Sequence, residues 1–237
     1  MMAVSPRKPL AALPLERRPA AQQIAESLQA AILSGELRSG DPLREAELAA
    51  TFCVARNTVR EALRLLTQKG LASHEVHRGV SVRRFTADEI THLFHTRAII
   101  ESAAAERAGN LTPAEAERLG NILTASERAA EAHDYSDVRT QNQEFHRALV
   151  GLLGNPRLDQ IFDQITTEIT LTLVPLERDV AGPWLARNRE LLRLLAVGDA
   201  AGFRAEIIRY LNQSMDDVAG RLADPTTPPA PSGRGTL

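Results

Sequence analysis

The sequence predicts a mainly α-helical protein, and three observations lead to this prediction. Ala, Leu, Glu and Arg are abundant, whereas aromatic residues make up only 4% of the 237 residues, which favours helices packed through small and aliphatic side chains. Apolar residues recur at helical spacing along most of the chain. One short stretch around Gly79 instead has two short segments typical of β-strands, joined by a tight turn as in a β-hairpin.

The first third of the chain contains the elements of a winged helix-turn-helix. Gly35, Gly40 and Gly70 interrupt the helical pattern where turns are expected. The pattern predicts helices over residues 20–33, 45–52 and 58–68, followed by short strands over residues 71–76 and 80–84. The order of helix, helix-turn-helix and hairpin is that of a winged helix-turn-helix domain, which we place in residues 20–85.

The rest of the chain is predicted to be an antiparallel all-helical bundle, placed in residues 86–222. Short breaks with turn chemistry separate the helices, which allows antiparallel neighbours. Six helices are expected, over residues 87–108, 113–132, 136–153, 156–178, 183–197 and 200–222. The Pro-rich segment 1–19 is expected to be a flexible tail, and the low-complexity segment 223–237 a disordered one.

Bulk properties exclude several classes of protein. No apolar run approaches the roughly 18 residues that a membrane-spanning helix needs. The first 15 residues lack the continuous apolar stretch of a secretory signal. The single cysteine, Cys53, excludes an internal disulfide framework and a Cys-rich zinc site. A cytoplasmic protein without a membrane partner is therefore expected.

Charge is distributed unevenly along the chain. Residues 1–84 contain 13 Lys and Arg against 8 Asp and Glu, a balance of +5, whereas residues 85–237 contain 15 against 22, a balance of −7, and together they give the net charge of −2. A basic first third fits a polyanionic partner, because Lys and Arg displace counterions from phosphates.

The helix after the predicted turn has one basic face. Arg56, Arg60 and Arg64 are spaced four residues apart, and apolar residues occupy the opposite face. Guanidinium groups near a helix N-terminus suit the major groove of DNA, where Arg makes bidentate contacts to guanine. Asn57 or Thr58 can cap this helix, and Thr58 with Glu61 also matches a capping box, which places the helix start at this point. A solvated helix face is the alternative interpretation.

Several motifs of the first third together resemble the DNA-binding domain of the GntR family. They are residues 31–43 (AILSGELRSGDPL), 47–49 (ELA), 54–63 (VARNTVREAL), 69–71 (KGL) and 78–80 (RGV), in the order and spacing of the family. The resemblance implies contacts to double-stranded operator DNA from Arg44, Arg56, Asn57, Thr58 and Arg60, and from Arg78 and Gly79 at the tip of the wing.

Two positions depart from the GntR pattern. Ala55 replaces a frequent Ser, so a hydroxyl contact is missing. Cys53 stands where Gly is common. We interpret Cys53 as a small apolar residue of the turn, with a redox sensor as the alternative.

The second part of the chain resembles the FCD ligand domain, which defines the FadR-type subfamily of GntR regulators. The resemblance rests on residues 93–101 (LFHTRAIIE), 142–146 (NQEFH), 154–155 (GN) and 198–199 (GD), and the six predicted helices are similar to the VanR-like variant. It implies a domain that forms a homodimer and senses a small organic acid.

Many members of that subfamily bind a divalent metal through an Asp and a His four residues apart and two later His. At the corresponding positions this sequence has Asn142, His146, Asn188 and Tyr210. Neutral amides and a phenol are weak ligands beside carboxylate and imidazole. We therefore expect no cofactor; a retained metal would depend on Asn142 and His146.

These residues are instead predicted to form a polar effector pocket. By the resemblance, Asn142, His146, Asn188 and Tyr210 point into the bundle. Arg97, which matches an Arg of the family, and Arg139, one turn before Asn142, are the residues expected to bind an effector carboxylate. An ion pair of Arg97 with Glu101 at i+4 is an equally good interpretation.

The sequence therefore predicts a sequence-specific DNA-binding transcriptional regulator, a repressor that a small carboxylate metabolite releases from DNA. A metal-dependent regulator and a DNA-binding protein without an effector are the alternatives. An enzyme is not expected, because the sequence contains no nucleophile–base arrangement, no phosphate-binding Gly-rich loop and no pair of carboxylates set for acid–base chemistry.

Overall fold

The computed structural model describes residues 18–75, 79–173 and 181–223, and within these ranges it is mainly α-helical, as predicted. A two-stranded sheet accompanies the helices. The elements in chain order are α1 (Ala20–Leu33), α2 (Glu45–Thr51), α3 (Arg56–Gln68), β1 (Ala72–Glu75), β2 (Gly79–Val82), α4 (Ala87–Ser102), α5 (Pro113–Glu131), α6 (Tyr135–Gly151), α7 (Pro156–Leu173), α8 (Ala181–Ala196) and α9 (Ala200–Ala223).

The head, residues 20–82, is built on the packing of α1 against α3. Apolar side chains at helical spacing, such as Ile32 on α1 and Val59 and Leu66 on α3, are completely buried between them. The antiparallel strands pair from Ala72 with Val82 to Glu75 with Gly79. This core fixes α3 on one side and leaves its other side exposed.

The helical domain, from α4 onwards, is a bundle in which α4 packs mainly on α9 and α5 on α6. Phe145, Phe162 and Phe203 are fully buried in its centre. The helices α4 and α5 both begin with a reciprocal capping box, in which a Thr side chain accepts from the backbone of a Glu three residues later and that Glu accepts from the Thr backbone.

Several helix boundaries differ from the predicted ones, most of them by one or two residues. The recognition helix α3 begins at Arg56, with Ala55 at the N-cap and no side-chain cap, so the capping box predicted at Thr58 was wrong because Thr58 already lies inside the helix. The first helix of the bundle ends at Ser102 and continues as a 3₁₀ helix, Ala103–Arg107. The helix α8 begins two residues earlier than expected, at Ala181.

Some predictions fall on residues that the structure does not describe. These are Arg78 of the wing, the end of the helix predicted over 156–178, and both tails apart from residues 18, 19 and 223. In the described part of the chain, no helix combines the length and the apolar character that crossing a bilayer would require.

The head and the helical domain meet through Arg83, the residue after β2. Its guanidinium donates to Glu89 of α4 and to Glu168 of α7, both at 3.0 Å, and lies 4.4 Å above the ring of Phe85. Leu171 of α7 is buried in the apolar core of the head. One arginine therefore ties the wing to two helices of the bundle.

Candidate DNA-reading face and buried polar cluster

The exposed side of α2 and α3 brings together most of the residues predicted to contact DNA, and we call it the reading face. Arg44, Arg56, Asn57 and Arg60 are exposed there, and Thr58 is half-buried. They lie at the N-terminal ends of α2 and α3, or directly before α2 in the case of Arg44. The arrangement offers several hydrogen-bond donors on one exposed surface.

Two arginines of the reading face are held by acidic residues. Arg60 donates from Nε and Nη2 to the two carboxylate oxygens of Glu45, at 2.9 and 2.8 Å. Arg44 donates to Glu47 at 2.9 Å. The bond from Arg60, together with its charge, lowers the pKa of the Glu45 carboxyl, so Glu45 is ionised at neutral pH.

The turn between α2 and α3 explains one departure from the GntR pattern. Cys53 is exposed and has a φ of 52°, in the left-handed region that a residue with a Cβ atom enters only at a cost. Glycine carries no such cost, which accounts for its frequency at this position. The side chain of Cys53 donates to the carbonyl of Ala50 at 3.6 Å.

At the wing, only one of the two predicted DNA contacts can be described. Gly79 opens β2 with a φ of 83° and is exposed, and apart from its chain neighbours no atom of the described residues lies within 4 Å of the position that a Cβ would occupy. A close approach of its backbone to another molecule is sterically open. Arg78 lies outside the described residues.

Inside the bundle, five of the six predicted effector residues form a connected group with one further residue. We call it the polar cluster: Arg97 and Glu101 of α4, Asn142 and His146 of α6, Asn188 of α8 and Tyr210 of α9. All six are buried. None of them is more than 7% exposed, and a surface groove of about 480 Å³ between α5 and α6 is lined by other residues.

An ion pair and a histidine form one half of the polar cluster. Arg97 donates from Nε to Glu101, and Nδ1 of His146 donates to the other oxygen of Glu101 at 2.5 Å. Burial raises the pKa of Glu101, but the charge of Arg97 and the hydrogen bonds from His146 and Arg97 outweigh it, and the net shift is downward. Burial lowers the pKa of His146. We assign an ionised Glu101 and a neutral His146 protonated on Nδ1.

Amides and a phenol form the other half. Asn188 donates to Oδ1 of Asn142 at 2.7 Å, and the hydroxyl of Tyr210 lies 3.2 Å from the same oxygen and 3.3 Å from Nε2 of His146. Burial raises the pKa of Tyr210 to about 12, so the phenol keeps its proton. Two buried atoms of the polar cluster, Nη2 of Arg97 and Oδ1 of Asn188, have no hydrogen-bond partner among the described residues.

The structure adds Glu101 to the residues that were predicted. It is completely buried and bridges Arg97 to His146. The i+4 spacing from Arg97 was the sequence signal for the ion pair, but not for the contact with His146 on another helix. Arg139 is also buried on α6, one turn before Asn142.

Comparison with known proteins identifies both parts of the chain. The family model described as "FCD domain" matches residues 92–213, more than half of the chain. The model described as "Bacterial regulatory proteins, gntR family" matches residues 20–82. The chain belongs to the GntR family, with an FCD domain. It is a DNA-binding transcriptional regulator, and not an enzyme.

Relatives and solved structures agree with this assignment. The chain is 27% identical to a probable D-xylose utilization operon transcriptional repressor of Paenarthrobacter nicotinovorans, over 78% of this chain and 82% of that protein. It is 26% identical to the gluconate operon transcriptional repressor of Bacillus licheniformis, over 89% and 88%. A crystal structure described as a GntR transcriptional regulator from Rhodococcus sp. RHA1 superposes with a TM-score of 0.74 at 31% identity, over 84% of this chain and 97% of that one.

Proposed function

We propose that this GntR regulator is a repressor that a small carboxylate metabolite releases from operator DNA by binding at the polar cluster. The observation that carries the proposal is the unpartnered Nη2 of Arg97, a charged donor buried among other polar groups. A buried donor without a partner costs free energy, and an incoming acceptor recovers that cost.

The chemistry of the cluster favours an acid that also carries a hydroxyl or amino group. Nη2 of Arg97 requires an acceptor, and a carboxylate is the strongest one available to a guanidinium. Oδ1 of Asn188 requires a donor. An effector with both groups satisfies both atoms. The relative named as a gluconate operon repressor is compatible with an acid of this class.

A site that works without a metal ion is part of the same proposal. A metal of the family type would need Asn142, His146, Asn188 and Tyr210 as ligands. This donor set does not fit, because two members are neutral amides and because the phenol of Tyr210, whose pKa is raised to about 12, keeps its proton at neutral pH. No group of three or more His, Cys, Asp or Glu converges among the described residues.

Two helices connect the polar cluster with the head. The helix α4 carries Arg97 and Glu101 of the cluster and also Glu89, which binds Arg83. The helix α7 carries Phe162, 5.9 Å from the guanidinium of Arg97, and Glu168, which also binds Arg83. The helices α4 and α7 can shift between two arrangements, and an effector that binds one arrangement more tightly favours it. Such a shift would change the contacts of Glu89 and Glu168 with Arg83 and thereby the placement of the wing. We propose that a homodimer in the cytoplasm, with two heads on a two-fold operator, uses this change.

The experiment that tests this function is a thermal melt of the chelator-treated full chain with a panel of acids, chosen as matched pairs with and without a 2-hydroxyl group. We expect one acid to raise the Tm and to release the protein from DNA selected out of a random library. The hydroxylated member of a pair should act at lower concentration. Stoichiometric metal that survives dialysis against chelator in the wild type would contradict the metal-free site.

Restoration of the family ligands provides an independent test of the geometry. The changes Asn142→Asp, Asn188→His and Tyr210→His supply a carboxylate and two imidazoles next to His146. We expect the triple variant to bind one Zn²⁺ per chain and to melt at a higher temperature with Zn²⁺, whereas the wild type does neither. Absence of zinc binding in the folded triple variant would show that the four positions do not converge as described.

A further inference from the structure

The ion pair between Glu45 and Arg60 joins the two helices of the helix-turn-helix. Glu45 is the first residue of α2, and Arg60 lies one turn into α3. Both oxygens of the Glu45 carboxylate accept from the guanidinium, at 2.9 and 2.8 Å. The contact spans 15 residues of sequence, so it is not a by-product of helical spacing as the pair of Arg44 with Glu47 is.

Glu45 occupies one edge of the Arg60 guanidinium, and this determines which hydrogen-bond donors of Arg60 remain available to DNA. The fork uses Nε and one hydrogen of Nη2 of Arg60. One hydrogen of Nη1 and the second hydrogen of Nη2 lie on the outer edge, and the other hydrogen of Nη1 points back towards Cδ. That edge presents two parallel donors, which is the arrangement that matches O6 and N7 of guanine. The side chain of Arg60 is 64% exposed, so the outer edge is accessible.

We propose that Glu45 is a positioning and specificity-determining residue for DNA recognition, because it fixes Arg60 so that only the outer edge of the guanidinium faces the groove. The proposal rests on the DNA-binding function and on the contact of Arg60 with DNA that the GntR resemblance implies, here taken as a base contact. A free arginine has many rotamers and turns readily to a phosphate. A guanidinium held at two atoms loses less conformational entropy when it contacts a base.

The charge of Glu45 acts in the same direction. A carboxylate close to the DNA surface repels phosphates, and its pairing offsets the positive charge of Arg60. Binding to random DNA, which depends on phosphate neutralisation, is thereby weakened. Glu45 should thus raise the preference for a specific site by favouring the base contact and by disfavouring phosphate contacts.

The test compares four full-length variants with the wild type on two probes. The probes are a duplex that the wild type selects from a randomised library and a duplex of shuffled sequence. Glu45→Gln removes the fork and one negative charge. Glu47→Gln is the matched control, because it removes the same charge from the same helix but releases Arg44 instead. Arg60→Ala and the double variant of Arg60→Ala with Glu45→Gln complete a thermodynamic cycle.

We expect Glu45→Gln to lower the preference for the selected duplex about tenfold, within the range of one bidentate base contact. On the shuffled duplex, Arg60 should then contact a phosphate, and the slope of log K against log salt should steepen by about 0.9. Glu47→Gln should leave the preference within about twofold of the wild type, since Arg44 is expected to contact phosphate. In the Arg60→Ala background, Glu45→Gln should have no further effect on the preference.

Three results would overturn the proposal. If Arg60→Ala lowers the preference but Glu45→Gln does not, Arg60 reads a base without help from Glu45, and the proposed function stands. If Glu45→Gln and Glu47→Gln lower it equally, the effect is one of net charge alone. If Arg60→Ala itself leaves the preference unchanged, Arg60 is not a base-reading residue and the proposal fails, whereas acid-dependent release from DNA tests the proposed function independently.

Discussion

Two Arg–Glu pairs, one in each half of the molecule, have the same chemistry in different environments. The pair on the reading face joins Arg60, 64% exposed, to Glu45, 33% exposed. The pair of the polar cluster joins Arg97, 7% exposed, to Glu101, which is not exposed at all. Water screens the first pair and is excluded from the second, so the two pairs contribute differently to stability and to binding.

The difference shows what each site is suited to bind. Breaking the exposed pair costs little, because water replaces the lost contact, and the outer edge of Arg60 can exchange water for a base while the pair with Glu45 stays intact. The buried pair holds two charges away from water, and removal of either charge leaves the other unpaired. The polar cluster is thus suited to a charged ligand that pairs with a buried group. The reading face is suited to a ligand, such as DNA, that replaces water at an exposed side chain.

The largest effect is expected for Glu101→Gln, which breaks the buried pair. It leaves the charge of Arg97 without a counterion, and we expect a loss of about 3–5 kcal/mol in the free energy of unfolding. Glu45→Gln is the matched control at the exposed pair, with an expected loss below about 1 kcal/mol. Urea unfolding of both variants measures the comparison, and equal losses would show that the two environments do not differ.

An effect of intermediate size is expected from pH. Because burial lowers the pKa of His146 from its ordinary value of 6.5, the unfolded chain binds a proton more tightly than the folded chain. Stability should fall by about 1.4 kcal/mol per pH unit as pH drops below that value. The lowered pKa of Glu101 adds a further loss only at more acidic pH, as the carboxylate itself takes up a proton.

The variant His146→Asn isolates the contribution of this histidine. Asparagine keeps a donor near the position of Nδ1 but does not titrate. Urea unfolding of wild type and variant between pH 7.5 and pH 5 should give a difference in unfolding free energy that narrows as pH falls. A pH-independent difference would mean that His146 is not held neutral in the folded protein.

The smallest effect is expected at Cys53, in the turn of the head. Cys53→Gly should stabilise the protein by up to about 1 kcal/mol, because glycine adopts a φ of 52° without the cost that a Cβ atom causes. Cys53→Ala is the control, since it removes the thiol but keeps the Cβ atom. Equal stabilisation by both variants would indicate the thiol and not the backbone as the cause.

Elements with strong local signals could be predicted from the sequence. The helix α1 has the predicted bounds, because its apolar stripe, its preceding Pro19 and its closing Ser34 and Gly35 all act locally. The start of α3 could not be predicted, because Thr58 and Glu61 form a plausible capping box in the sequence. In the structure the helix begins two residues earlier, at Arg56, and has no side-chain cap. Local rules rank possible ends of a helix, but tertiary packing selects one.

The candidate sites follow the same division. Asn142, His146, Asn188 and Tyr210 were brought together by the family resemblance, and their hydrogen bonds in the structure are consistent with it. The partners of the predicted arginines were harder to foresee. Glu45 lies 15 residues from Arg60, and His146 lies 45 residues from Glu101, so neither contact leaves a periodic signal in the sequence.

The measurement that tests the central claim most directly is carboxylate-dependent release from DNA by the wild type and by Arg97→Lys. Lysine keeps the charge opposite Glu101 but lacks the second donor atom that has no partner in the wild type. With chelator present, and with the acid that most raises the Tm of the wild type, we predict that both proteins bind the selected duplex equally. The variant should need at least about tenfold more acid for release. Equal release of both proteins by the acid would contradict recognition of the effector by Arg97.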